Sequence, residues 1–190
     1  MTLPDNQYLC DSNNSVLVMI DIQPKLTAVM PTKVLARLQR NSGLLLRAAG
    51  PLQIPVIATE QYPKGLGKIE DEILKLMPDG SSCIEKTCFS CARVEEFRKT
   101  LEATGRKQVI LLGMEAHICV YQTAIELLQD GYAVFVVIDG VCSRQRENYE
   151  ASLTRLRQAG VVTCDTESVL FEWLRDASHP DFKTISSMLR

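Results

Sequence analysis

At 190 residues the chain is long enough to bury one core and short for two. Its 46% hydrophobic and 23% charged residues are ordinary for a globular protein and exclude a disordered one. A net charge of -2, with Lys and Arg scattered singly or in pairs, excludes the general pull toward nucleic acid or anionic membrane that a basic chain would have. No run is apolar for long enough to span a bilayer. Met1 to Ser15 is polar, carrying Asp5, Asn6, Gln7 and Asp11. It has neither a charged-then-apolar signal pattern nor an Arg-rich transit pattern. Residues 1–14 therefore read as an arm before the first strand, and the expected compartment is the cytoplasm. There are seven cysteines, Cys10, Cys83, Cys88, Cys91, Cys119, Cys142 and Cys164. An odd number without a secretion signal argues against a disulfide framework. Most read as small buried hydrophobes or free thiols, and one as a candidate nucleophile.

Val16 to Ile20 is a continuous apolar run, the mark of a strand covered on both faces. Val34 to Ala49 has helical spacing and stops at Gly50-Pro51. Pro55 to Thr59 is the second strand, followed by the Gly- and Pro-punctuated loop Gln61 to Gly67. Ile69 to Met77 reads as a short helix and Ser82 to Lys86 as a weak third strand. Arg93 to Ala103 is helical and Gln108 to Leu112 a fourth strand ending in Gly113. A helix is expected over His117 to Gln129, a strand over Ala133 to Ile138, and a turn at Asp139-Gly140. Then come a helix over Glu147 to Ala159, a short strand over Val161 to Thr163, a helix over Glu167 to Arg175, and a tail past His179-Pro180. Residues 176–190 either pack on their own subunit or dock on a partner.

Six strands alternating with helices predict an α/β protein, a parallel sheet with helices on both faces. In such sheets the site lies beyond the carboxyl ends of the strands, where the strand order reverses. With the common order 3-2-1-4-5-6, that crevice lies between strands 1 and 4. Asp21 closes the first strand there; its bland reading is a turn or capping residue. Cys119 follows the fourth strand near a helix start, where the dipole favours thiolate; its bland reading is a buried helix Cys. The segment from Gly113 to Val120 would present backbone N–H groups to the crevice, as an oxyanion hole requires. Lys86 ends the third strand, and a cation near Cys119 would lower its pKa; alone, it reads as a solvated Lys. Together the three make a base, a cation and a nucleophile, the constellation of a cysteine hydrolase.

Three segments carry a resemblance: Val18-Met19-Ile20-Asp21-Ile22-Gln23, Lys86-Thr87-Cys88-Phe89-Ser90 and Gly113-Met114-Glu115-Ala116-His117-Ile118-Cys119-Val120. Through them the sequence resembles the isochorismatase-like cysteine hydrolases over nearly its whole length. Thr59 to Gly67 and Asp176 to Pro180 resemble the small isochorismatase-domain-containing hydrolases of unassigned substrate. The resemblance implies a single hydrolase domain, a three-layer α/β/α sandwich around a six-stranded parallel sheet. It implies that Asp21 accepts the proton of Cys119, that Lys86 supports the thiolate, and that a thioester forms and is hydrolysed. It also implies a non-proline cis peptide at Glu115–Ala116, with the N–H groups of Ala116 and Cys119 as the oxyanion hole, and a homo-oligomer, dimer or higher.

Two departures bear on the chemistry. Nicotinamidases of this kind carry an Asp-x-His-x-x-His-type metal site after the second strand, where this chain has Glu60-Gln61-Tyr62. No metal or other cofactor is expected. The isochorismate-cleaving members lack the nucleophilic Cys, so Cys119 argues against isochorismate. The expected substrate is a small amide or related carbonyl compound, with Gln23, Gln61, Tyr62, Phe89 and His117 as candidate pocket residues. His117 reads as a structural or pocket-wall residue rather than the base of a Cys–His dyad, because a two-residue spacing turns the side chains apart. Neither nucleic acid nor membrane is an expected partner. The alternative reading is an idle scaffold or partner-binding protein that keeps the fold. A third is a redox protein using Cys88 and Cys91.

Overall fold

The computed structural model describes residues 8–189; of the arm, residues 1–7 lie outside the described residues. The first strand, β1 (Ser15–Ile20), is buried along its whole length. Helices α1 (Pro24–Thr27) and α2 (Thr32–Ala49) lead to β2 (Val56–Gln61). Single turns α3 (Pro63–Leu66) and α4 (Asp71–Leu74) precede β3 (Ser82–Lys86), a 3₁₀ turn Cys91–Arg93 and α5 (Glu95–Ala103). Then come β4 (Gln108–Met114), a π-helical turn Ala116–Val120, α6 (Tyr121–Gln129) and β5 (Ala133–Cys142). Helix α7 (Arg146–Gln158), β6 (Val162–Cys164), α8 (Thr166–Leu174) and α9 (Phe182–Ser187) complete the described chain.

The six strands form one sheet in the order β3-β2-β1-β4-β5-β6, every pairing parallel. Alternation along β1 divides the core. Leu17 and Met19 face a cluster closed by Leu45 of α2 and by Leu170 and Trp173 of α8. Val16, Val18 and Ile20 face a cluster closed by Phe97 of α5, Leu127 of α6 and Leu156 of α7. Apolar residues on both faces of the central strands are what a sheet covered on both sides requires. Among the described residues no helix is long and apolar enough to cross a membrane.

The structure departs from the sequence reading in three places that shape the site. Strand β5 runs on through Asp139-Gly140 to Cys142, where a turn was expected. The Asp139 carboxylate takes the N–H and hydroxyl of Thr166 at 2.9 Å each, tying the strand to the start of α8. A register shift between Leu111 and Gly113 lets β4 pair with this extension to Met114. The helix expected over His117 to Gln129 begins instead as the π turn. The span expected as a helix over Ile69 to Met77 holds only the turn α4: the N–H groups of Leu76 and Met77 turn to the carbonyls of Ile73 and Leu74 three residues back, at 3.0 and 3.2 Å, and Pro78 follows. The tail packs on its own subunit in part. Ile185 is buried in the α2–α8 cluster, and Phe182 meets Phe171 edge-on at 6.2 Å between ring centroids.

Gly113 marks the closest approach of β4 to β1. Its φ is +115°, and a Cβ there would stand 2.0 Å from the Ile20 carbonyl oxygen, one residue before Asp21. Any side chain would combine backbone strain with a clash against backbone that cannot move aside. Gly113→Ala is expected to destabilise the protein by at least about 2 kcal/mol. A urea unfolding midpoint equal to the parent's would contradict this account of the joint.

Candidate active site

Parallel strands end on one side, and the register sets which residues meet there. Ile20 of β1 pairs with Thr59 of β2 and Gly113 of β4, and Gln61 of β2 with Lys86 of β3. In regular extension Asp21 would follow Leu17 and Met19 to the α2 side. Its φ is +54°, a left-handed conformation that Asp tolerates better than most residues. The turn brings its carboxylate to the other face, where Thr59 and Lys86 continue the rows begun by Ile57 and Ile84.

There the carboxylate is wholly buried and fully engaged. Oδ2 accepts from Lys86 Nζ at 2.7 Å, and neither side chain is exposed to solvent. Oδ1 accepts from the Thr59 hydroxyl at 2.7 Å. The other protons of the Lys86 ammonium go to Gln61 Oε1 at 2.7 Å and the Phe89 carbonyl at 3.1 Å, with the Cys88 carbonyl at 3.4 Å. An ammonium has three protons to give, so Lys86 is committed entirely to the protein. Cys119 lies in the π turn with 6% of its surface exposed, near enough to the Asp21 carboxyl for the two groups to shift one another.

The charges shift one another in traceable directions. Burial pushes the Asp21 carboxyl above the usual carboxylate range, against the downward pull of Lys86, Thr59 and Cys119. Burial alone would lower Lys86. The Asp21 charge, with Cys91 and Cys119 beside it, more than offsets this and holds the ammonium above its ordinary value. The Cys119 thiol is pushed up, first by burial and then by the Asp21 charge, with Lys86 opposing. This corrects the expectation that Lys86 and a helix dipole would give a low thiol pKa: the cation is already bound to Asp21, and the thiol sits inside a turn in an apolar setting. Burial thus raises the thiol and the carboxyl together, an arrangement in which a proton can pass from one to the other as the sulfur attacks.

The other residues singled out by sequence are placed as follows. Gln23 has no exposed surface. Its amide donates to the carbonyls of Gln61, at 3.0 Å, and Gly67, and accepts from Gln61 N–H at 2.7 Å. It fastens the loop after β2 and has no free polar atom for a pocket. Gln61 is a partner of Lys86, and its Nε2 donates to the Thr87 carbonyl at 2.7 Å. Tyr62, about half exposed, lines a cavity of about 330 Å³ together with Lys86. Phe89 is likewise about half exposed. His117 bonds Ser143 Oγ through Nδ1 at 2.9 Å, with Asn148 3.4 Å from Nε2, so both ring nitrogens have neighbours other than Cys119. The cis peptide is Met114–Glu115, one residue earlier than expected, because β4 keeps pairing with β5 through Met114 and the chain leaves the sheet directly after it. The Glu115 carbonyl accepts from Ile118 at 3.0 Å and Val120 at 3.3 Å, and the Cys119 N–H is not among its donors.

Sequence reasoning missed Thr59 and Cys91. Cys91 is fully buried, donates its thiol to Thr59 Oγ1 at 3.8 Å, and is raised to about 11, first by burial. A polar residue closing the apolar run of β2 beside Asp21 was the available signal for Thr59. For Cys91 the C-x-x-C spacing drew attention to redox instead. All seven cysteines are free thiols in the structure, and among the described residues no three His, Cys, Asp or Glu side chains converge as metal ligands would.

A family model described as the isochorismatase domain matches residues 15–168. Isochorismatase domain-containing protein 2 of Danio rerio is 41% identical over 181 residues, covering 94% of this chain and 88% of its own length. The solved structure of MAR1 ribonuclease from Caenorhabditis elegans superposes with a TM-score of 0.89 at 32% identity, covering 95% of this chain and 92% of that one. The YcaC protein of Escherichia coli, described as an octameric hydrolase of unknown specificity, shares the fold with a TM-score of 0.84 at 24% identity, covering 99% of this chain and 98% of that one.

The pKa argument has a direct consequence. Asp21→Asn removes the charge that, after burial, raises the Cys119 thiol most, and leaves Lys86 to work against burial. Cys119 should then label with iodoacetamide at neutral pH about tenfold faster than in the parent, the thiolate gained from one pK unit. Peptide mass spectrometry reads the rate at Cys119; an unchanged or slower rate would mean that the carboxylate does not govern the thiol.

Proposed function

The chain belongs to the isochorismatase family of hydrolase fold, and from that premise we propose that it is a metal-independent cysteine hydrolase of a small amide or related carbonyl compound. The observation that carries this reading is the buried Asp21–Lys86 pair with its carboxyl facing the Cys119 thiol. Cys119 Sγ attacks the substrate carbonyl carbon while its proton passes to Asp21. The N–H groups of Ala116 and Cys119 hold the resulting oxyanion. The intermediate collapses to a thioester; the amine leaves with the proton from Asp21. Water, giving a proton to Asp21, then cleaves the thioester, and that proton returns to Sγ as the acid leaves. Lys86 keeps its protons throughout and contributes charge alone.

The segment where nicotinamidases hold metal supports a metal-free reaction: Glu60 is spent on Ile69 N–H and Gln61 on Lys86. Exposed Tyr62 and Phe89 would face the substrate, with His117 in the wall behind the π turn. The proposed setting is a cytoplasmic homo-oligomer, with light scattering as the measure of its size. The burial of Cys119 and its raised pKa favour a second reading, a partner-binding protein with a silent thiol.

A panel of small amides, with RNA included because the Caenorhabditis elegans relative is named as a ribonuclease, separates these. Cys119→Ala should lower amide turnover by at least about a thousandfold while the circular dichroism spectrum stays that of the parent. An amide substrate should leave an acyl adduct on Cys119 detectable by mass spectrometry. Turnover that survives Cys119→Ala, or RNA cleavage independent of Cys119, would overturn the proposal. No turnover at all would favour the partner-binding reading.

A further inference from the structure

On the β5 side of β4, away from Lys86, the same edge of the sheet carries a cavity of about 320 Å³. It lies between the first turns of α2, the end of β5 and the first turns of α7. Val34, Cys142 and Tyr149 form an apolar wall, and Arg37, Arg144 and Arg146, with one carboxylate, Glu150, line the same space. Pockets of this size with an apolar body and a few charged groups are the usual form of small-ligand sites.

The three arginines are not equally occupied. Arg144 is held from behind: its Nε meets Glu115 Oε1 at 2.9 Å and its N–H meets Oε2 at 3.1 Å. Arg146 pairs with Glu150 at 2.6 Å, but both side chains are mostly exposed, and such a pair is readily exchanged. Arg37 makes no ion pair among the described residues. Its contacts are the Val141 carbonyl at 3.4 Å and the face of Tyr149 at 5.8 Å from the ring centroid. A guanidinium set against an aromatic ring, with donors still to place, is suited to receive a planar carboxylate. The wall is also pre-formed. Tyr149 is anchored by its hydroxyl to the Ile138 carbonyl at 2.7 Å, and buried Ser143 by its bond to His117.

We propose that this cavity binds a small organic carboxylate, its anionic group bridging Arg37 and Arg146 and its apolar body lying on Val34, Cys142 and Tyr149. The site uses none of Asp21, Lys86 and Cys119, and it meets the proposed hydrolase site through the Ser143–His117 bond.

Benzoate is the probe, titrated by calorimetry into the full-length protein. One equivalent should bind. Nitrobenzene, the neutral isostere that is not a carbonyl compound, and inorganic phosphate, which lacks the apolar body, should each bind at least about tenfold more weakly. Arg37→Glu should weaken benzoate by at least about tenfold. Arg40→Glu, the same charge change on the same helix outside this cavity, should leave it within about twofold, and Cys119→Ala should bind as the parent does. Absent benzoate binding, nitrobenzene or phosphate binding as tightly, parent-like binding by Arg37→Glu, or its loss in Cys119→Ala would each overturn the proposal.

Discussion

The buried pair of Asp21 and Lys86 governs the rest of the site. Two charges with no solvent exposure cost several kcal/mol each to desolvate, and their attraction recovers that only when every remaining donor and acceptor is satisfied. Here they are. Thr59 completes the carboxylate, and Gln61 with the carbonyls of Phe89 and Cys88 completes the ammonium. A hydrophobic pair of equal volume would serve stability as well. The pair's other effect is electrostatic: it places a carboxylate of raised basicity beside a thiol.

Holding that pair dictates local backbone geometry on three neighbouring strands. Asp21 takes a left-handed conformation to bring its carboxylate to the face where Lys86 ends β3. Gly113 lets β4 pass against the backbone of Ile20, one residue before Asp21, as the chain heads into the turn that bears Cys119. Gln23, two residues beyond Asp21, clips the loop after β2 by three backbone contacts, and so fixes Gln61 where it meets the ammonium. Of these, Gln61 touches the pair directly, while Gly113 and Gln23 act through the backbone they position.

How much of this was legible depended on whether the signal was local. The central strands were, because a sheet covered on both faces needs unbroken apolar runs, and Val16 to Ile20 and Val109 to Leu112 are such runs. The start of β5 was legible for the same reason. Its continuation through Asp139-Gly140 was not, because a carboxylate beside a glycine reads as a turn unless Thr166 is known to be waiting for it. The site showed the same division. Asp21, Lys86 and Cys119 stood out as residues at strand ends, whereas Gln23 and Gln61 read as pocket residues because nothing in a sequence reveals that an amide is already hydrogen-bonded.

The sequence by itself determined the order of elements and the parallel sheet, and it marked Asp21, Lys86 and Cys119 as candidates for a site. These follow from periodicity and from which residue types close apolar strands. Only the tertiary structure decided the direction of the Cys119 pKa, the exhaustion of the Lys86 protons on Asp21, Gln61 and Phe89, and the cavity beside Arg37. Those depend on burial and on distances between side chains from separate strands and helices. Neither quantity exists until the chain has folded.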